Sequence, residues 1–233
     1  MRYKRVMLKL SGEALAGENK YGIDDSKVQT LAKMIAEIYK LGIELAVVIG
    51  GGNYWRGRTN PHMDRVTADQ IGMLATTMNA MTVADAVGKL NVECRVLNAI
   101  SMPTISEPYI QKKAVRYLEN KIVLFFAGGT GSPFFSTDSG AALRAAEINA
   151  DVMLKATQVD GVYDKDPNEF PDARRYTEIS LRDVMSQGLA VVDATAAALC
   201  NDNNIPLIVF SIKDPNNVIR ILKGENLGTL VLP

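Results

Sequence analysis

Hydrophobic and polar residues alternate along the chain between two repeating patterns, which predict strands and helices in turn. Residues 6–10 form a short apolar run that predicts a strand. Apolar residues then recur at intervals of three and four, as one face of a helix requires, at Val28, Leu31, Ile35, Ile38 and Leu41. Residues 43–49 are almost continuously apolar, which suits a strand covered on both faces of a parallel sheet.

The same alternation continues to the end of the chain. It predicts further strands over residues 92–97, 121–126, 152–156, 207–210 and 229–232. It predicts helices over residues 68–87, 106–119 with Ser106 as the cap, 141–149, 194–200 and 218–222. Residues 157–175 are polar and contain Asp160-Gly161 and Asp166-Pro167, so we expect a long loop or a hairpin there. We therefore predict one α/β domain over residues 1–233, with a continuous, mostly parallel sheet and right-handed crossovers.

Composition narrows the functional classes. The chain has 233 residues, of which 47% are hydrophobic and 22% are charged, enough to bury a large core. Its 26 basic and 26 acidic residues cancel, so no overall positive field favours nucleic acid. Only Cys94 and Cys200 are present, far apart, which disfavours a disulfide framework or a structural zinc site. No apolar run approaches the roughly 20 residues that span a bilayer, and we expect a cytoplasmic protein without membrane contact.

Three predicted strands end in small residues that favour phosphate binding. The strand near residue 126 is followed by Gly128-Gly-Thr-Gly, the strand ending at residue 49 by Gly50-Gly-Gly, and the first strand by Ser11-Gly12. Glycine lets backbone N–H groups approach an anion closely, and parallel strands end at one edge of a sheet. These turns together predict a ligand with several phosphates.

Two common nucleotide motifs are absent. The stretch from Gly17 to Gly22 has the spacing of a P-loop, but Ile23 and Asp24 stand where lysine and a hydroxyl residue are required. The other glycine turns do not complete a dinucleotide motif, because Trp55 and Phe134 occupy the third glycine position. The signature loops of protein kinases are also missing.

Charged residues near the glycine turns are the candidate functional groups. Lys9 is either a phosphate-binding ammonium or a lysine whose side chain reaches solvent at the end of its strand. Arg56 either offers a planar group to phosphate oxygens or is an ordinary loop arginine. Asp138 and Asp193 each begin a predicted helix, so each is an N-cap, a partner for Lys9 or an organiser of metal or water. Asp69 either accepts ribose hydroxyls or faces the helix dipole.

Several segments together resemble bacterial uridylate kinases (UMP kinases) of the amino-acid kinase superfamily. They span residues 9–15, 48–57, 71–76, 129–138, 155–163 and 224–230, so the resemblance covers essentially the whole chain. The element Thr-Gly-x-Pro-Phe-Phe-x-Thr-Asp ending at Asp138 separates UMP kinases from members that form acyl phosphates. Ser132 and Ser136 depart from the usual residues but remain small and polar. The resemblance implies a three-layer αβα sandwich.

The resemblance also implies roles for individual residues. The ATP site would comprise Lys9, Leu10, Ser11, Gly12, Gly52, Arg56, Thr157, Tyr163 and Asp166. The UMP site would comprise Gly51, Asp69, Thr130, Gly131, Ser132, Pro133, Phe134, Phe135, Ser136 and Thr137. Lys9 and Arg56 would neutralise charge during transfer, and Asp193 would orient Lys9. The acceptor site would lie mainly in residues 1–150 and the adenosine site mainly in residues 151–233.

Regulation and assembly are likewise implied only by the resemblance. Activation by GTP would involve Gly17, Glu18, Asn19, Lys20, Tyr21 and Gly22. UTP would inhibit, the subunits would form a homohexamer, and Mg²⁺ would enter with ATP without a dedicated protein metal site. Two other functions stay open at this point, namely a kinase for a carboxylate or carbamate and a nucleotide sensor without catalysis. The first would need a small cationic acceptor pocket, and the second would have lost Lys9 or Arg56.

Overall fold

The structure, a computed structural model, describes residues 2–55, 62–189 and 191–233. Its described strands form one nine-stranded sheet in the order β4-β3-β5-β2-β1-β6-β8-β9-β7. The strands are β1 Arg5–Leu10, β2 Glu44–Ile49, β3 Cys94–Asn98, β4 Glu107–Pro108, β5 Val123–Ala127, β6 Val152–Thr157, β7 Glu178–Ser180, β8 Leu207–Ser211 and β9 Thr229–Leu232. Only the β8–β9 pairing is antiparallel among these strands, so the predicted mostly parallel sheet is confirmed.

Helices cover both faces of the sheet. They are α1 Asp25–Lys40, α2 Arg65–Gly88, α3 Gln111–Glu119, α4 Thr137–Glu147, α5 Leu181–Ser186, α6 Ala194–Asp202 and α7 Asn216–Leu222. One apolar core joins α1, α2 and α7 to one face of the sheet. A second core joins α3, α4, α5 and α6 to the other face. This is the three-layer αβα sandwich that the sequence resemblance implied. No helix among the described residues has the length and apolar character needed to cross a bilayer.

The helix boundaries follow local chemistry. The Asp24 side chain accepts hydrogen bonds from the backbone N–H groups of Ser26 and Lys27, which fixes the start of α1. The predicted cap at Ser106 is wrong, because α3 begins only at Gln111 and Ile110 occupies its N-cap position. Residues 107–108 instead pair with β3 as the short strand β4. Pro108 suits this edge position, since proline lacks an N–H donor and is disfavoured inside a helix.

The region after residue 157 agrees with the hairpin alternative for residues 157–175. An isolated antiparallel bridge joins Tyr163 to Arg175, so this segment folds back on itself. The sequence analysis did not predict the strand β7 and the short helix α5 that follow it. Both are too short to show a clear hydrophobic period.

Candidate active site

The three glycine-containing turns lie side by side at one edge of the sheet. They follow β5, β2 and β1, which are consecutive neighbours in the sheet. The turns after β1 and β2 are packed together, because a Cβ atom on Gly12 would lie 2.3 Å from the carbonyl oxygen of Gly50. A Cβ atom on Gly51 would lie 2.8 Å from the Cβ of Ala75 in α2. Only glycine fits at these two positions, because the turns and α2 approach one another closely there.

Two lysines and one aspartate form a buried charge cluster beside these turns. Lys9 on β1 and Lys155 on β6 occupy paired positions in the parallel register, so their side chains leave the same face of the sheet. The carboxylate of Asp138, in the first turn of α4, contacts both ammonium groups, with Lys9 Nζ 2.7 Å from Oδ1. The three side chains are only 12–14% exposed. The cluster contains two cations and one anion, and Asp193 lines the same cavity as a second anion. What the cluster offers to a bound phosphate is therefore its two ammonium groups.

Burial and ion pairing act in opposite directions on the cluster. Burial raises the pKa of Asp138, but the ammonium groups of Lys9 and Lys155 outweigh it and hold this pKa below its ordinary value. Burial lowers the pKa of Lys155, and the attraction of Asp138 offsets this only in part. Lys155 also donates to the carbonyl oxygen of Val191. Asp138 is therefore a fixed anion, while Lys155 loses its proton more easily than an ordinary lysine.

The expectation that Asp193 orients Lys9 is not met in this geometry, because Asp138 is the carboxylate in contact with Lys9. Asp193 is the N-cap of α6 and accepts from the N–H of Ala196. Its two oxygens also accept from the hydroxyls of Ser136 and Ser139. These bonds hold the start of α4, whose N-cap is Ser136, and so position Asp138 indirectly. The helix N-cap role of Asp193 is confirmed.

The predicted acceptor residues surround a cavity of about 240 Å³ between α2 and the loop after β5. Seven of them line it, namely Gly51, Asp69, Thr130, Ser132, Phe135, Ser136 and Thr137. Gly52, which was predicted for the ATP side, lines it too. Phe134 contributes its backbone instead, because its N–H donates to Asp69 Oδ2 at 2.8 Å. Gly131 and Pro133 belong to the same loop but are not among the residues that line the cavity.

The residues predicted for the adenosine side line a second cavity of about 500 Å³. Thr157, Tyr163 and Asp166 all contribute to it. The Tyr163 hydroxyl donates to Asp160 at 2.6 Å, and Thr157 donates to the carbonyl oxygen of Val159 at 2.6 Å. Local hydrogen bonds therefore shape this wall.

A third cavity lies between the other two. It has about 400 Å³ and is lined by Lys9, Asp138, Lys155 and Asp193. It shares Ser136 and Thr137 with the acceptor cavity and Lys155 with the adenosine cavity. The three cavities are therefore adjacent, with the cluster of Lys9, Asp138 and Lys155 in the middle.

The sequence analysis missed the role of Lys155. It quoted this lysine within a motif but gave it no function, because the residue lies in an otherwise apolar strand without a distinctive neighbour. The signal was its position two residues before a hydroxyl residue, Thr157, just as Lys9 lies two residues before Ser11. Arg56, a predicted catalytic and ATP-binding residue, lies outside the described residues.

The segment from Gly17 to Gly22 lies beside the phosphate turns but does not line the three adjacent cavities. The N–H of Gly22 donates to the Asn53 carbonyl oxygen at 2.9 Å, and Asn53 Nδ2 donates back to the Gly22 carbonyl oxygen at 2.8 Å. Asn53 and Asn79 exchange a pair of buried amide hydrogen bonds, which sequence analysis did not anticipate. Gly17 and Glu18 instead border a separate cavity of about 450 Å³.

Comparison with known proteins identifies the family of this chain. The chain belongs to the amino acid kinase family, whose sequence model matches residues 4–211. It is similar to the UMP kinase from Bacillus anthracis, with 40% identity and a TM-score of 0.96 over 99% of this chain and 96% of that one. It is similar to the UMP kinase from Ureaplasma parvum, with 39% identity and a TM-score of 0.93 over 100% of both chains. A uridylate kinase from Archaeoglobus fulgidus is 29% identical, with a TM-score of 0.74 over 97% of this chain and 99% of that one.

Proposed function

We propose that this protein transfers the γ-phosphoryl group of ATP to UMP and so forms ADP and UDP. The arrangement of three adjacent cavities carries the proposal, because cavities of about 240 and 500 Å³ flank the buried cluster of Lys9, Asp138 and Lys155. An oxygen of the UMP phosphate attacks the γ-phosphorus, and the bond from that phosphorus to the β,γ-bridging oxygen breaks. The reaction is reversible, since one phosphoanhydride bond breaks in ATP and one forms in UDP.

The chemistry needs charge neutralisation more than a protein base. Charge in the transition state spreads over the transferring oxygens, and the UMP phosphate is already a competent nucleophile. Lys9 and Lys155 line the third cavity, where ammonium groups stabilise that charge. Asp138 holds both lysines in place, and Asp193 holds the start of α4 through Ser136 and Ser139. Arg56 stays a predicted contributor to the same neutralisation.

The acceptor nucleotide would occupy the smaller cavity. Asp69 lies on its wall and would accept hydrogen bonds from the ribose hydroxyls. The loop of residues 130–137 would lie along the uracil ring and the phosphate of UMP. Adenosine would occupy the larger cavity beside Thr157, Tyr163 and Asp166. The glycine turns would supply backbone N–H groups to the phosphates in between.

Magnesium would enter bound to the ATP phosphates. The described residues contain no group of three or more histidine, cysteine or acidic side chains arranged to hold a metal ion. The nearby carboxylates are already engaged, Asp138 by two lysines and Asp193 by two hydroxyls and an N–H group. This donor set fits a cation held mostly by phosphate oxygens and water, as Mg²⁺ commonly is. The bound ion would neutralise charge on the β- and γ-phosphates.

The direct test is an ADP-release assay with four acceptors: UMP, CMP, glutamate and carbamate. We expect strong turnover with UMP and little with the others, because the described lining of the acceptor cavity combines the loop after β5 with the Asp69 carboxylate, which would accept hydrogen bonds from ribose hydroxyls. Preferred phosphorylation of glutamate or carbamate would instead assign the chain to another branch of the family.

We also propose that GTP and UTP regulate the protein. Its role would be in cytoplasmic pyrimidine nucleotide synthesis. A path from Gly22 to the phosphate turns supports this regulation, because Asn53 binds Gly22 and a Cβ atom on Gly12 would lie 2.5 Å from Asn53 Oδ1. An effector that orders residues 17–22 would thus shift the phosphate cradle. A GTP titration at saturating ATP and UMP should give a coupling of about 1–3 kcal/mol, weakened by shortening this segment.

A homohexamer is supported by the outer face of α2. Leu74, Met78 and Met81 recur at intervals of four and three on this helix and are each more than a third exposed. Such an apolar stripe is typical of a subunit interface. Replacing Met78 with Glu should lower the mass measured by light scattering, whereas an unchanged mass would exclude this stripe from the assembly.

A further inference from the structure

The start of α2 carries a contact between three residues that neither the sequence analysis nor the comparisons assign. Arg65 Nε lies 2.8 Å from Asp69 Oδ2, one helical turn away. The same oxygen accepts the backbone N–H of Phe134 at 2.8 Å. The guanidinium of Arg65 lies over the Phe134 ring, 5.5 Å from its centre. Arg65 therefore contacts both partners of the hydrogen bond that joins α2 to the acceptor loop.

Helix stability does not account for the Arg65 side chain. Arg65 is the first residue of α2, where the helix dipole disfavours a cation. A pair with the basic residue N-terminal to the acidic one is also the weaker orientation at this spacing. Asp64 already caps the helix by accepting from the N–H of Thr67. The charge of Arg65 is thus better explained by what it contacts outside the helix.

Phe134 has a backbone conformation that needs external support. Its φ of 73° lies in the left-handed region, which is unfavourable for a bulky residue. The residue is 63% exposed, so burial of Phe134 does not hold the loop in place. The described contacts that do so are the bond from its N–H to Asp69 and the guanidinium above its ring. Strained residues of this kind concentrate at functional sites.

We propose that Arg65 is a positioning residue of the acceptor site. Arg65, Asp69 and Phe134 form a latch that holds the loop after β5 against α2 before the acceptor nucleotide arrives. Both latch contacts to Asp69 use Oδ2, so neither occupies Oδ1, which is left for the sugar hydroxyls. The inference rests on the proposed function, since it concerns how that acceptor is bound. The ligand class is a ribonucleoside monophosphate.

The first experiment replaces Arg65 with Met and measures steady-state kinetics and nucleotide binding. Without the latch, the loop must become ordered when UMP binds. The cost of this ordering weakens binding of the substrate and binding of the transition state equally. We expect the KM for UMP to rise about tenfold, equivalent to ~1.4 kcal/mol, with kcat and the KM for ATP within about twofold of the native values. Trp55 is the only tryptophan and lines the acceptor cavity, so its fluorescence reports UMP binding without turnover.

Lys89→Met is the matched control. Lys89 pairs with Asp85 at 2.6 Å at the other end of the same helix, with the same four-residue spacing, and both side chains are exposed. We expect this variant to leave UMP binding unchanged. Arg65→Lys keeps the charge but loses the planar group, so it should restore only part of the affinity.

A second variant keeps the inference testable if Arg65→Met folds poorly. Phe134→Ala retains the backbone N–H but removes the ring, so the KM for UMP should rise, and the double variant should be no worse than Arg65→Met alone. The latch is refuted if Arg65→Met binds UMP with native affinity, or if kcat falls while the KM for UMP is unchanged. If the native protein binds UMP but does not phosphorylate it, the proposed function fails while the fluorescence titrations still test the latch.

Discussion

The walls of the acceptor and adenosine cavities are built differently. The acceptor wall rests on buried polar contacts, since the N–H of Gly128 donates to Thr76 Oγ1 at 2.9 Å and Asn98 Nδ2 donates to Thr77 Oγ1 at 3.0 Å. The adenosine wall rests on exposed contacts, such as Lys165 with Asp172 and Arg175 with Asp160. Exposed ion pairs contribute about 0–1 kcal/mol, whereas a buried polar group without its partner costs ~1–3 kcal/mol. We infer that acceptor choice is strict and that the adenosine side tolerates change.

The largest expected effect lies between the two walls. Lys9→Met keeps the length of the side chain but removes a charge needed when the phosphoryl group moves. Turnover should fall by about 10²–10³, because one preorganised electrostatic donor is worth ~3 kcal/mol. Lys4→Met is the control, since Lys4 lies just before the other end of β1 and is 73% exposed. Near-native turnover by Lys9→Met in a stopped-flow or coupled assay would remove Lys9 from the reaction.

How far the sequence predicts the molecule depends on the range of the interactions involved. Continuous apolar runs predict β1, β2 and β5 within a few residues, because a strand buried on both faces leaves a local hydrophobic record. The glycine turns are likewise local features of the sequence, and the sequence analysis predicted them. Glu178–Ser180 was not, since three residues carry no measurable period.

Contacts between distant residues account for what the sequence analysis missed. Lys155 meets Lys9 only through the register of β1 with β6, which no pattern along the chain specifies. Asp138 and Asp193 are alike in sequence, each an acid at a helix start, and only the packing of α4 on α6 decides which of them faces the lysines. Arg65 and Phe134 are brought together by the fold in the same way.

The second prediction tests strictness on the acceptor side. If Asp69 accepts the ribose hydroxyls, the native protein should prefer UMP to dUMP by at least about tenfold, because a polar group left unpaired costs ~1–3 kcal/mol. Asp69→Asn should narrow this preference. Asp85→Asn provides a matched control on the same helix, where the aspartate pairs with Lys89 and is exposed. Equal kcat/KM for UMP and dUMP with the native protein would exclude Asp69 from sugar recognition.

The third prediction uses pH to separate the central cluster from its surroundings. Burial lowers the pKa of Lys155 below the ordinary lysine value of 10.5, so its charge is lost at a lower pH than usual. The kcat/KM for ATP, which reports the free enzyme, should therefore decline on the alkaline side before pH 10.5. Bound ATP phosphates favour the charged form, so the decline in kcat should lie at higher pH.

Stability should change in the opposite direction over the same interval. Between the folded and unfolded pKa values of Lys155 the unfolded chain binds more protons, so this residue makes the free energy of unfolding rise with pH. The free energy of unfolding, measured by denaturant titration at several alkaline pH values, therefore distinguishes titration of Lys155 from general alkaline unfolding. Lys155→Met should abolish this contribution. If the free energy of unfolding instead declines with pH in parallel with kcat/KM, the assignment to Lys155 is wrong.

The smallest effect is expected on the adenosine side. The Tyr163 hydroxyl donates to Asp160 in an exposed position, and Asp160 also pairs with Arg175 at 2.9 Å. Tyr163→Phe removes this bond but keeps the ring on the cavity wall, so the KM for ATP should rise by about fivefold or less, in keeping with the ~0–1 kcal/mol of an exposed polar contact. The UMP to dUMP preference and kcat should stay at native values. A change of more than about tenfold in either one would mean that the adenosine wall also controls the acceptor and that the two walls do not act separately.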